Sequence, residues 1–219
     1  MAFQPMPLSR KPQPFDHPEW VFELKYDGFR SLAVIHGGRC ELISRNGNPF
    51  NSFDSLRKDL TVSCSGQTVL DGEIVCLDKR GRPQFNDLLF HRGEPRFFVF
   101  DLLMADGKDL QTEKLTDRKQ ELRRLVSKLP TSRMHYVDHV HEHGTALFER
   151  VCKLDLEGIV AKHSYGPYVA DPQRTTWVKI KNRNYSQMAG REDLFNRERH
   201  REPVAGWHSC DLACAEAAS

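Results

Sequence analysis

The sequence predicts an α+β domain built from short antiparallel strands, with helices packed outside them. Apolar runs of strand length recur along the chain between turn residues, as in the hairpin that Gly37 and Gly38 would close between residues 31–36 and 39–44. Amphipathic helical spacing is confined to a few segments, such as residues 117–129. The chain has 219 residues, which is long enough for a core of its own.

Composition excludes several classes of protein. The formal net charge is only +2 and 39% of the residues are hydrophobic, which is typical of a globular protein rather than a basic nucleic-acid coat. No apolar run reaches the length of about 18 residues that suggests a membrane span, and residues 1–18 lack an apolar signal core. The six cysteines show no framework spacing, which favours free thiols. We therefore expect a cytoplasmic protein without a membrane partner.

Two clusters have the residue types of a metal site without its spacing. Four histidines fall within residues 135–143, but no cysteine or carboxylate pattern accompanies them. The segment 208–214 contains a histidine and two cysteines, but it lacks a second paired half. We expect neither cluster to be a dedicated metal site.

The chain divides into three parts. Residues 1–18 contain five prolines and are predicted to form an extended leader. Residues 19–185 carry the periodic strands and helices and are predicted to form the domain itself. Residues 186–219 show no clear period and are interpreted as an appended helix or a tail along the surface.

Two local predictions concern the second half of the domain. Thr116 is expected to cap the helix over residues 117–129, and the basic residues of this helix, including Arg118 and Lys119, are expected mostly on a solvated face. Residues 134–140 are expected to form one short strand.

Residues 23–30 contain a candidate nucleophile. Lys25 stands close to Asp27, Gly28 and Arg30, and glycine would allow the segment to bend tightly around a ligand. A lysine in water has a pKa near ~10.4, so it becomes a nucleophile only where its surroundings favour the neutral amine. A solvated strand end and turn is the alternative interpretation of this segment.

Other strands carry charged residues where apolar ones are expected. Glu73 lies within the apolar run 69–78, and because an unpartnered buried carboxylate is costly, it should face a polar site. Lys179 and Lys181 point to the same face of a strand and repel each other unless an anion lies between them, which is typical of a phosphate site. Arg45 follows a strand, where it would be exposed to a ligand or would simply occupy a hairpin tip.

Six stretches, taken in order, resemble the motifs of ATP-dependent DNA ligases within the covalent nucleotidyltransferase superfamily. They are residues 25–30, 44–47, 71–73, 98–103, 157–162 and 177–181. The last two are most similar to the ligase domains of bacterial end-joining enzymes. The resemblance implies two antiparallel β-sheets flanked by helices, in an ATP-grasp-like adenylation domain with the nucleotide between the sheets. No OB-fold is expected, because the residues after 185 are too few to form one.

The resemblance also implies a reaction. Lys25 would attack the α-phosphorus of ATP and carry AMP, which would pass to the 5′-phosphate of a DNA nick before a 3′-hydroxyl expels it. Lys179 and Lys181 would neutralise the α-phosphate, and Arg30 and Glu73 would contact the ribose or its phosphate surroundings. Phe100 would stack on adenine, and the backbone at Glu23 and Leu24 would read the adenine edge. Arg45 would contact the 5′-phosphate of the nick, and Glu157 with Asp27 would bind Mg²⁺ (or Mn²⁺).

Three functions stay open at this point. The chain could be a minimal ATP-dependent DNA ligase that acts in repair or recombination. It could be a low-turnover ATP- and DNA-binding subunit that needs an OB-fold or end-joining repair protein in trans. It could also be an RNA ligase-like nucleotidyltransferase.

Overall fold

The computed structural model describes residues 3–64, 66–129 and 133–188, which form eleven strands and four α-helices. The strands are β1 (Ser9–Arg10), β2 (His17–Leu24), β3 (Phe29–His36), β4 (Arg39–Ser44), β5 (Thr68–Val75), β6 (Arg96–Ala105), β7 (Lys108–Asp109), β8 (Met134–Tyr136), β9 (His139–Glu142), β10 (Gly158–His163) and β11 (Trp177–Lys181). The helices are α1 (Asp54–Ser63), α2 (Phe85–Leu89), α3 (Leu115–Ser127) and α4 (Gly144–Lys153). A second compact unit begins at Ser186, and its described part is a 3₁₀ turn, Ser186–Met188.

The described strands form two sheets, each of which contains one parallel pair. The first sheet has the order β1-β11-β10-β2-β9 and is antiparallel except between β1 and β11. The second has the order β4-β3-β5-β6-β7, with β8 added in parallel to β6. The prediction of two purely antiparallel sheets was therefore wrong in this respect, because β1 and β8 add to the sheets from distant parts of the chain.

The register of the first sheet aligns charged residues in a row. Glu23 pairs with Val160, Val160 with Lys179, and Lys179 with Arg10. Since residues that pair across neighbouring strands point to the same face, these four side chains share one face of the sheet. The opposite face carries Phe22, which packs into a separate apolar cluster.

Residues 134–140 do not form one strand, because they contain the whole of β8 and the first two residues of β9, which lie in different sheets. β8 pairs with β6 in the second sheet, and β9 pairs with β2 in the first. Between them Val137 is buried, and its N–H donates to the carbonyl of Val99 at 2.9 Å. The predicted single strand was wrong because the chain pairs with β6 as far as Val137 and then enters the first sheet at His139.

Helix α3 buries two of its cations, contrary to prediction. Its buried side chains are Leu115, Arg118, Lys119 and Leu122, which follow helical spacing along one stripe. Arg118 pairs with Asp101 of β6 at 2.8 Å, and Lys119 pairs with Glu23 at 2.6 Å. The predicted cap was also wrong, because the helix begins at Leu115 and has no side-chain cap.

The leader packs against the domain. Met6 is fully buried, and its N–H donates to the Tyr168 hydroxyl at 2.7 Å. Asp16 accepts a hydrogen bond from the N–H of Thr145 in the first turn of α4. A boundary after residue 18 stays a prediction, and the predicted tail and the cysteines beyond residue 188 lie outside the described residues. No helix in the described ranges is long and apolar enough to cross a membrane.

Candidate active site

A cleft lies between the two sheets. Its lining combines apolar and aromatic side chains with a few charged ones, as expected of a small-molecule site. The lining residues are Leu8, Leu24, Lys25, Tyr26, Arg30, Glu73, Phe100, Val160, Lys162 and Trp177. Five of the residues expected from the sequence to contact a nucleotide therefore meet here, namely Leu24, Lys25, Arg30, Glu73 and Phe100.

Lys25 follows the end of β2 and is held as an ammonium group. Its Nζ lies 2.8 Å from Oε2 of Glu157. Burial lowers the pKa of Lys25, but Glu157, together with Glu73 and Asp27, raises it above its ordinary value of 10.5. The amine is thus protonated at neutral pH, a form in which a lysine is not a nucleophile.

At position 28, three residues after Lys25, the fold has no room for a side chain. A Cβ atom at this position would lie 2.1 Å from the backbone oxygen of Ile74 in β5. The residue's φ is not positive, so the expected freedom to bend is not what the fold uses. A side chain would separate the segment that carries Lys25 from the second sheet.

Two further lysines face Lys25 from β11. Glu157 is buried and bridges Lys25 and Lys181, with its Oε1 at 3.2 Å from the Lys181 ammonium. Burial and the charges of Lys181 and Lys25 lower the pKa of Lys179. An anion bound between these lysines would offset the repulsion that lowers the pKa of Lys179, and the phosphate site stays a prediction.

Arg30 is fixed by residues that the sequence analysis gave no role. Its guanidinium donates two hydrogen bonds to Asp71, at 3.1 Å and 2.7 Å. The Tyr168 hydroxyl donates to the same carboxylate at 2.7 Å and accepts the N–H of Met6. These hydrogen bonds hold Arg30 against the cleft and connect it to the leader.

Glu73 lies beside Arg30 in the register of β3 and β5. Burial raises its pKa to about 7, although Lys25 and Arg30 oppose the effect. Among the residues that the structure describes, no ion pair to Glu73 is formed. A carboxylate in this state can accept hydrogen bonds from a ligand, as predicted for a residue that faces a polar site.

Glu23 is enclosed by two lysines behind the cleft. Its carboxylate contacts Lys119 at 2.6 Å and Lys162 at 2.7 Å. Burial and Lys119 lower the pKa of Lys162 to about 8, against the attraction of Glu23. Both carboxylate oxygens of Glu23 are therefore occupied by ion pairs, so a ligand would contact its backbone rather than its side chain.

The other expected residues take different positions. Phe100 lines the cleft, with the Lys162 ammonium 4.3 Å from its ring centroid. Asp27 is buried and accepts a hydrogen bond from the Tyr185 hydroxyl at 2.9 Å. Arg45 is exposed after β4, close enough to Lys179 to lower its pKa.

Several cleft residues were missed by sequence reasoning. Lys162 and Trp177 lie within recognised motifs, and the ammonium of the lysine is 3.9 Å from the indole centroid. Val160 faces the cleft from β10. The alternation of β10 placed Val160 and Lys162 on one face, but nothing in that pattern showed that the face is lined by a second sheet.

Comparisons with known proteins agree with this geometry. The chain matches the family model described as ATP dependent DNA ligase domain over residues 10–181. It is 34% identical over 216 residues to the bifunctional non-homologous end joining protein LigD of Bacillus subtilis, covering 83% of this chain and 34% of that protein. It is also 34% identical over 169 residues to the multifunctional non-homologous end joining protein LigD of Pseudomonas aeruginosa, covering 74% and 20%.

The fold has a solved counterpart. The structure of mycobacterial DNA ligase D complexed with ATP and MES matches with a TM-score of 0.70 and 29% identity, over 82% of this chain and 60% of that one. The chain spans about a third or less of the two LigD proteins named above. Since the family model covers most of the chain, and five of the six motif stretches contribute to one cleft, the chain belongs to the ATP-dependent DNA ligase domain family of nucleotidyltransferases.

Proposed function

We propose that this chain is the adenylation domain of an end-joining DNA ligase, which takes AMP from ATP on Lys25 and passes it to the 5′-phosphate of nicked DNA. The observation that carries the proposal is the position of Lys25. Its amine stands at the edge of the cleft, paired with Glu157 at 2.8 Å, and faces the lysines of β11. The two LigD proteins named above support the assignment to end joining.

The inner part of the cleft suits adenosine. Phe100 and Val160 line it from different sheets, so that a flat base can lie between them. Leu24 offers its backbone at the same level, and Glu23 is held in place by Lys119 and Lys162. Glu73 and Arg30, which are neighbours across β3 and β5, face the ribose hydroxyls in this arrangement.

The outer part of the cleft suits the phosphates. Lys25 attacks the α-phosphorus once its amine is neutral, a nitrogen–phosphorus bond forms, and the bond to pyrophosphate breaks. Lys179 and Lys181 stabilise the charge that grows on the phosphoryl oxygens. The proton that Lys25 loses goes to solvent, which enters the cleft from its open side.

The donor set at this end also fits a magnesium ion. Mg²⁺ prefers oxygen ligands and usually combines one or two carboxylates with substrate phosphates. Glu157 is a carboxylate on the phosphate side of Lys25 and would hold the ion, with Asp27 near it. The bound ion would supply positive charge to the phosphate oxygens.

The later steps involve DNA. Arg45 is exposed on the same side as Lys179 and would contact the 5′-phosphate that receives AMP. A 3′-hydroxyl then attacks the adenylated end and expels AMP. We propose that an OB-fold or an end-joining protein holds the DNA for this step, since the LigD relatives are named as end-joining proteins.

Incubation with α-labelled ATP and Mg²⁺ tests the proposal. We expect a covalent AMP adduct on the wild type and none on Lys25→Ala. Lys179→Ala should lower the labelling rate, while Lys128→Ala, which removes an exposed cation at the end of α3, should not. If the wild type stays unlabelled, the proposed chemistry is wrong.

Sealing assays test the choice of substrate. The labelled protein should transfer AMP to a nicked DNA duplex and join it. Preferential joining of nicked RNA would contradict the DNA assignment. Adduct formation without joining, rescued by an added OB-fold protein, would identify the second component of the ligase.

A further inference from the structure

The leader places a cation in the phosphate site that the family motifs do not include. Arg10 belongs to β1, which pairs in parallel with β11 and aligns Arg10 with Lys179. The N–H of Lys11 continues this pairing by donating to the carbonyl of Lys179 at 3.1 Å. The backbone therefore fixes Arg10 beside a phosphate-site lysine.

The side chain of Arg10 shares the cleft face of the sheet. Leu8, two residues earlier, lines the cleft, as does Trp177, two residues before Lys179. Lys11 points to the other face, where its ammonium lies 4.0 Å from the ring centroid of Phe15. Arg10 and Lys11 thus face opposite sides of the sheet, and of these two cations only Arg10 is on the cleft face.

The charges around Arg10 lack a protein counterion. In the part of the chain that the structure describes, no carboxylate forms an ion pair with Arg10, Arg45 or Lys179. The pKa of Lys179 is lowered by burial and then by Lys181, Lys25, Arg45 and Arg10. Unpaired cations that converge in this way are complementary to a polyanion.

The order of strands decides which part of ATP lies near Arg10. Lys25 follows β2, and β10 and β11 separate β2 from β1. With strands about 4.8 Å apart, β1 lies about 14 Å from β2. In phosphoryl transfer the nucleophile and the leaving group lie on opposite sides of the phosphorus. An α-phosphate held between Lys25 and Lys179 therefore directs its leaving group toward β1.

We propose that Arg10 binds the pyrophosphate that leaves ATP when Lys25 is adenylated, an inference that rests on the proposed function. As the nitrogen–phosphorus bond forms and the phosphorus–oxygen bond breaks, the electron pair goes to pyrophosphate. The Arg10 guanidinium neutralises that charge through charge-assisted hydrogen bonds. The leader is then part of the active site.

Measurement of the two directions of adenylation tests this role. Arg10→Ala should slow adduct formation from ATP, and it should raise the pyrophosphate concentration that discharges half of the Lys25 adduct, each by about tenfold to a hundredfold. Arg10→Lys should recover part of both effects. Lys11→Ala is the matched control, because it removes a neighbouring cation from the opposite face.

A third assay separates this site from a DNA site. Joining of a chemically pre-adenylated nick needs neither ATP nor pyrophosphate, so Arg10→Ala should join it at the wild-type rate. A loss confined to that reaction would show that Arg10 binds DNA and would overturn the inference. The inference would also be overturned if the same pyrophosphate concentration discharged half of the adduct in Arg10→Ala and in Lys11→Ala. An unlabelled wild type would instead refute the proposed function, and this inference with it.

Discussion

Glu73→Gln should stabilise the folded protein and weaken its binding of ATP. The pKa of Glu73 is raised from 4.5 to about 7, mainly by burial. The folded state therefore favours the protonated carboxyl more than the unfolded state does. Ionisation of Glu73 therefore lowers the free energy of unfolding. This loss is absent below pH 4.5, grows between pH 4.5 and 7, and is complete above pH 7. A rise of this size corresponds to about 3 kcal/mol.

Urea unfolding at two pH values measures this loss. At pH 8 we expect the free energy of unfolding of Glu73→Gln to exceed that of the wild type by about 3 kcal/mol, and at pH 5 by less than about 1 kcal/mol. Glu41→Gln removes an exposed carboxylate from β4 and is the control for the change in charge. It should follow the wild type at both pH values.

The same variant should bind ATP less well. The glutamine keeps an acceptor oxygen but loses the charge that strengthens hydrogen bonds to ribose hydroxyls, so KM for ATP should rise. The gain in stability at pH 8 alone decides the electrostatic argument. If Glu73→Gln and the wild type unfold with equal free energies at pH 8, the carboxylate is not strained in the way that its burial implies.

Three other predictions concern the surroundings of Lys25. Gly28→Ala places a Cβ against Ile74 and should lower the adenylation rate about a hundredfold, with an unchanged circular dichroism spectrum; a normal rate would contradict the steric argument. Tyr168→Phe removes a buried hydrogen bond to Asp71 and should lower the free energy of unfolding by about 1–3 kcal/mol and raise KM for ATP; urea unfolding equal to the wild type would refute it. Because the pKa of Lys25 is raised, the neutral fraction and the adenylation rate should increase about tenfold per pH unit between about pH 7 and 9, and a flat profile would show another limiting step.

The local parts of the fold could be predicted from the sequence. The strands over residues 31–36 and 39–44 were placed correctly around Gly37 and Gly38, because alternation and turn chemistry act over a few neighbouring residues. Pairing between distant segments could not be predicted in this way. The addition of β1 to β11 joins residues that are far apart in the chain, and nothing in the five prolines of the leader indicates which strand it meets.

The candidate site shows the same limit for charged groups. Helical spacing put Arg118 and Lys119 on the inner stripe of α3 with Leu115 and Leu122, yet their charge led to the opposite interpretation. Burial of a cation depends on a carboxylate partner, and for Lys119 that partner is Glu23, 96 residues earlier. A sequence window as long as one helix contains Lys119 but not Glu23, so it cannot show that this cation is paired.

Lys25 extends this argument to catalysis. Its partner Glu157 lies 132 residues away, and their ion pair gives the nucleophile a raised pKa where the sequence led us to expect surroundings that favour the neutral amine. The motifs predict that Lys25 is the nucleophile, and its ion pair with Glu157 holds it as an ammonium group in this structure. Burial lowers the pKa of Lys25, and Glu157 raises it more than Glu73 and Asp27 do, so a ligand that neutralised Glu157 would shift that pKa downward. We therefore expect the carboxylate that we assign to the magnesium ion also to favour the ammonium form of the proposed nucleophile.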